Sequence, residues 1–141
     1  MKPEGRGILE LLRGDILMPE IIWDSPDEPG WDPSLNRILM SGKHYYKKRA
    51  PMVFAHELGH QRYDQTLGDT DPLIDMYQER DAWRFALSKL PPEEIDLDFL
   101  EYALGGYVNE VEEQYGEGPE LDSAKKLKNE MMSLARRKKG V

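Results

Sequence analysis

The stretch Pro51-Met-Val-Phe-Ala-His56-Glu57-Leu-Gly-His60-Gln-Arg-Tyr63 decides how the rest of the chain is read. It places two histidines four residues apart in a helical pattern, with a glutamate directly after the first. Residues four apart on an α-helix project from the same face, so His56 and His60 can reach one metal ion together. Glu57 lies about 100° further round, where it meets a water at that metal rather than the metal itself. Pro51 suits the first turn of a helix, whose N–H groups have no intrahelical acceptor. Phe54 and Leu58 lie on the opposite face and are predicted to pack the helix into a core.

The chain contains no cysteine, so any metal must be held by histidine and carboxylate, and disulfides and thiolate nucleophiles are excluded. Its 141 residues suffice for one domain, 1–141, with a core over about 15–91 and a helical C-terminal extension over about 93–139. No apolar run is long enough to cross a bilayer, and the first residues lack a signal-peptide pattern, so a cytoplasmic protein is expected. The net charge of −8 argues against a general nucleic-acid binder. Lys43-His-Tyr-Tyr-Lys-Lys-Arg49 alternates cations and aromatics as single-strand binders do, but reads better as a solvated rim of a cleft.

A third metal ligand comes from the next periodic segment. Leu73 to Leu90 reads as a helix stopped by Pro91-Pro92. On its wheel, Met76, Ala82, Trp83, Ala86 and Leu90 fall within about 60° of Glu79. A carboxylate inside an apolar stripe needs a strong partner: a metal ion, or a salt bridge to Arg80 or Arg84. His56, His60 and Glu79 make a His₂Glu set, which suits one zinc ion with an open fourth position. Glu57 is then the candidate catalytic base. Candidate oxyanion donors are Tyr63, Tyr77 and His44, with Tyr45 and Tyr46 also open.

Elsewhere, residues 8–13 read as a short amphipathic helix and 16–23 as an edge strand or two short strands around Pro19. Asp24 to Ser34 reads as a loop, and Arg37–Ser41 as a strand that can pair with an extended substrate. Residues 93–122 hold eleven acids and no lysine or arginine, over an apolar pattern interrupted at Gly105-Gly106. One kinked helix or two helices are predicted there, with the acids on a solvated surface. A Gly-Glu-Gly-Pro turn at 116–119 then leads to an amphipathic basic helix from Leu121.

Phe54-Ala-His-Glu-Leu-Gly-His60, followed by Glu79-Arg-Asp-Ala-Trp-Arg-Phe-Ala86 and Leu90-Pro91, resembles the ImmA/IrrE family of metallopeptidases over about residues 36–91. The resemblance implies an α+β, zincin-like domain with a short β-sheet beside the His-Glu-x-x-His helix. It implies His56, His60 and Glu79 as zinc ligands and Glu57 as the catalytic glutamate. Trp83 stands where the family pattern has asparagine. Residues 93–141 have no counterpart in the motif. The implied activity is zinc-dependent hydrolysis of a protein partner, with a helix-turn-helix repressor as the substrate class. The alternative is a zinc-stabilised binding module that sequesters a regulator without cleaving it.

Overall fold

A computed structural model describes residues 19–63 and 71–141, so the predicted helix at 8–13 and the start of the 16–23 segment lie outside the described residues. Within them the architecture is α+β, a small three-stranded sheet beside a mainly helical body.

Strands β1 (Glu20–Ser25), β2 (Gly30–Asp32) and β3 (Arg37–Ser41) pair in the order β1-β3-β2. β1 runs parallel to β3 in the register Ile21↔Ile38, and β2 runs antiparallel to it in the register Trp31↔Ile38. The register of β1 shifts between Ile22 and Ser25, where Asp24 takes a φ of 57°. Asp32 carries the chain from β2 towards β3: its Oδ1 accepts from the Ser34 amide at 3.0 Å and the Ser34 hydroxyl at 2.7 Å. Asn36 follows with a φ of 46°, a conformation asparagine tolerates.

Two segments differ from the sequence expectation. Asp24 to Ser34 is not wholly loop, because its Gly30-Trp31-Asp32 segment pairs with β3. Three residues between prolines carry too little alternation to show as a strand, and the pairing comes from the apolar β3 they meet. Arg37–Ser41 is the central strand with both edges paired, so it has no free edge for an extended substrate. Ile38 and Met40 project from it into the core.

After the one-turn helix α1 (His44–Lys47) comes α2 (Ala50–Arg62), with its proline in the first turn. Its apolar burial runs round the cylinder: Met52, Val53, Phe54, Ala55 and Leu58 are all at most 2% exposed. A helix buried on every side is a central element rather than an amphipathic surface one. Helix α3 (Pro72–Lys89) is capped by Asp71, whose side chain accepts from the Leu73 amide at 2.8 Å. It stops at Leu90, held extended ahead of Pro91.

Helix α4 (Leu97–Tyr115) begins at Asp96, whose carboxylate accepts from the Phe99 amide at 3.0 Å and from Arg49 Nε at 2.9 Å. It passes through Gly105-Gly106 as one helix, so the two-helix alternative does not hold. Each helical glycine costs about 1 kcal/mol relative to alanine, but tertiary burial outweighs that. Phe99, Leu100, Leu104, Val108 and Val111 form the buried stripe that holds the helix.

The turn at 116–119 occurs as expected, with Gly116 at φ 72° and Gly118 at φ 147°. Helix α5 (Pro119–Lys139) buries Leu121, Ala124, Leu127, Met131, Met132 and Ala135. Its basic end tidies two chain exits, since Lys138 Nζ donates to Leu87 O at 2.6 Å and Lys139 Nζ to Pro92 O at 3.1 Å. Lys128 of the basic helix lies 3.8 Å from Glu101 of the acidic segment. Among the described residues, no helix is long and apolar enough to cross a membrane.

Candidate metal centre

Helices α2 and α3 cross at Gly59. A Cβ on that residue would lie 2.4 Å from the Ala82 carbonyl oxygen and 2.8 Å from its Cα, so the two backbones touch. Only a residue without a side chain allows this approach. Gly59 adjoins His60, and Ala82 lies three residues past Glu79, so the crossing sets the ligand side chains face to face.

His56 Nε2 lies 2.9 Å from Glu79 Oε1, and His60 Nε2 lies 2.8 Å from Glu79 Oε2. The two Nε2 atoms are 3.1 Å apart. Glu79 and His60 side chains are 1% exposed, Glu57 is 8% and His56 is 13%, so the group opens towards solvent on the His56 side. Glu57 Oε2 sits 3.3 Å from His56 Nδ1. The salt bridge to Arg80 or Arg84 does not form. Arg80 pairs with Asp81 at 3.1 Å and Arg84 with Glu130 at 2.8 Å.

The charges follow from this packing. Burial opposes a proton on His56, but the facing Glu79 carboxylate and the hydrogen bond that His56 donates to Glu57 outweigh it, pushing the imidazole up to about 10. Burial likewise opposes ionisation of Glu79, and the imidazoles of His56 and His60 hold its carboxyl well below the usual carboxylate range.

The group passes a test for a cation. His56, Glu57 and His60 offer ligand atoms within 4.8 Å of one another and could hold a metal ion. A tetrahedral zinc ion with bonds of about 2.05 Å sets its donors about 3.3 Å apart. The separations of 2.9 and 2.8 Å from Glu79 to the two histidines, and of 3.1 Å between the histidines, are close to that spacing. Glu79 Oε2 is buried and finds no well-aligned hydrogen-bond donor, although His60 Nε2 is in ion-pair range. A buried carboxylate oxygen left in this way is a natural cation ligand.

No family model, curated protein or solved structure matches the chain.

One residue at the site escaped the sequence reading. The Tyr107 hydroxyl of α4 hydrogen-bonds towards Glu79. Burial, with the negative charges of Glu79 and Glu57 behind it, pushes that phenol up, so it stays a protonated donor. Its spacing among Leu100, Leu104, Val108 and Val111 marks it as a core-facing position, but no signal ties it to a carboxylate on another helix. The candidate oxyanion donors Tyr63, Tyr77 and His44 are all exposed. Tyr63 is 50% and Tyr77 41% exposed, and Tyr77 packs against Arg80, whose guanidinium lies 5.1 Å from its ring. His44 is exposed on α1. Tyr45 lies under Arg49 at 4.2 Å and edge-on to Tyr46 at 5.1 Å.

Three of the cations between Lys43 and Arg49 are engaged in ion pairs. Lys43 pairs with Glu28 at 2.8 Å, Lys47 with Asp24 at 3.3 Å and Arg49 with Asp96 at 2.9 Å.

Proposed function

We propose that this chain is a zinc-dependent metallopeptidase of the ImmA/IrrE type, with a zincin-like arrangement, that hydrolyses peptide bonds of a protein partner. One observation carries the reading: the Glu79 carboxylate, from a separate helix, meets both imidazoles of the His-Glu-x-x-His turn within 2.9 Å. His56, His60 and Glu79 would hold the ion. Zinc there supplies Lewis acidity, which makes water a nucleophile near neutral pH and polarises a carbonyl.

The chain's own groups supply the rest. Glu57 is the base: it takes the proton from the attacking water and returns it to the leaving amine. Its place beside His56 on the more open side of the cluster suits it to meet water. Tyr107 O–H is the donor near the reacting centre, anchored on Glu79. The resemblance in the two helical motifs favours a helix-turn-helix repressor as the substrate class.

A second reading has one observation in its favour. Glu57 Oε2 lies 3.3 Å from His56 Nδ1, so it also serves as an orienting partner of a ligand, as it would in a zinc-stabilised binding module without hydrolysis. Glu57→Gln separates the two. With zinc retained, the peptidase reading expects cleavage of a partner or peptide library to fall by at least about 100-fold, in keeping with loss of general-base catalysis. Undiminished inactivation of the partner by this variant favours the binding module.

A further inference from the structure

The indole of Trp83 lies flat on the imidazole of His56, with ring centroids 4.1 Å apart and planes 11° from parallel. We propose that Trp83 is a positioning residue that sets the ring plane of His56 for metal binding, an inference that rests on the metal-centre reading above.

An imidazole offers its lone pair in the plane of the ring, so the χ2 torsion decides whether Nε2 aims at the shared cation. That torsion is intrinsically soft. Metal-binding histidines are usually fixed by a hydrogen bond from the other ring nitrogen to a carboxylate or carbonyl. For His56 the neighbour of Nδ1 is Glu57, at 3.3 Å. Glu57 is also the group that must turn to water, so it cannot be a permanent brace.

The Trp83 side chain is fully buried, and Phe99 of α4 meets its ring near-perpendicularly at 6.2 Å. It stands one helical turn beyond Glu79, so α3 delivers the third ligand and the plate for the first from adjacent positions. The indole N–H is buried without an acceptor. Such a donor is unfavourable in a core. The indole is therefore seated by its ring contacts and not by its polar edge. In the pattern this chain resembles, this position is an asparagine. Here a stacked plane takes that place.

The test uses the full chain, stripped of metal and titrated with Zn²⁺ against a chromophoric chelator. Trp83→Phe keeps a ring and should bind within about threefold of wild type. Trp83→Leu keeps apolar bulk but no plate, and should bind about tenfold or more weakly, the loss typical of an outer-shell partner. Wild-type affinity in Trp83→Leu, or equal losses in both variants, overturns the proposal. Should Trp83→Leu fail to fold, a Trp23→Phe/Trp31→Phe protein leaves Trp83 as the sole indole. Its emission should be quenched at one equivalent of Co²⁺, and indifference to bound cobalt again overturns the proposal. Failure of the wild type to take up either cation sinks the metal centre itself, a distinguishable result.

Discussion

Replacing Gly59 with alanine tests the geometry on which the site is built. The new Cβ would sit 2.4 Å from the Ala82 carbonyl oxygen, 2.8 Å from Ala82 Cα and 2.9 Å from its carbonyl carbon. Non-bonded heavy atoms settle near 3.5 Å, so α2 and α3 must part by roughly 1 Å. All three clashing atoms are backbone, so no rotamer change relieves them, and a compensating Ala82→Gly cannot rescue the variant. Overpacking of this kind costs about 1–3 kcal/mol, against which alanine regains about 1 kcal/mol of helix propensity. The net loss of stability is therefore modest, about 0–2 kcal/mol, a fall of several degrees in Tm at most. The site suffers more. Metal–ligand distances tolerate only about 0.2 Å, so a 1 Å separation of Glu79 from the histidine pair should weaken Zn²⁺ binding by about 100-fold. Thermal unfolding of the metal-free protein and chelator competition measure the two effects separately. A Gly59→Ala protein that binds Zn²⁺ as tightly as wild type would refute the claim that this crossing sets the ligand geometry.

Further outcomes follow from the same contacts. Glu79→Gln should lose more Zn²⁺ affinity than the ~10–100-fold typical of an outer-shell change, and elemental analysis showing full occupancy would remove Glu79 from the ligand set. In the metal-free protein, the raised His56 contributes stability that is fully present below about 6.5 and lost as pH rises through about 10. The depressed Glu79 contributes stability present above 4.5 and lost as pH falls through its lowered value. Zinc uptake near pH 7 must therefore displace about one proton from His56, and affinity should rise with pH up to about 10. Proton release in weakly buffered solution checks this, and zinc binding without it would show His56 already neutral. Tyr107→Phe removes the donor to Glu79 and leaves that carboxylate short of one partner. Its cleavage rate should fall about 10–100-fold while the Tm changes by only a few degrees, measured on peptide cleavage and thermal melts side by side.

What could be read from the chain alone was local or strongly periodic. His56 and His60 share a face because of the 3.6-residue turn, wherever the helix goes. Glu79 declared itself because an acid in an apolar stripe needs a partner, although its identity stayed open between a cation and Arg80 or Arg84. The stop before Pro91 and the glycine turn at 116–119 are likewise short-range chemistry.

Tertiary structure decided the rest. Strand β2 exists because β3 offers it an edge. Helix α4 stays whole through Gly105-Gly106 because its buried stripe outweighs the cost of two glycines. The sequence marks Gly59 only as a letter in a motif, and its meaning is the backbone of Ala82 against it. Tyr107 and Trp83 read as core-facing positions, and only packing makes them neighbours of Glu79 and His56. Helical periodicity says which way a side chain points along its own axis, while the identity of what it meets depends on contacts between segments far apart in the chain.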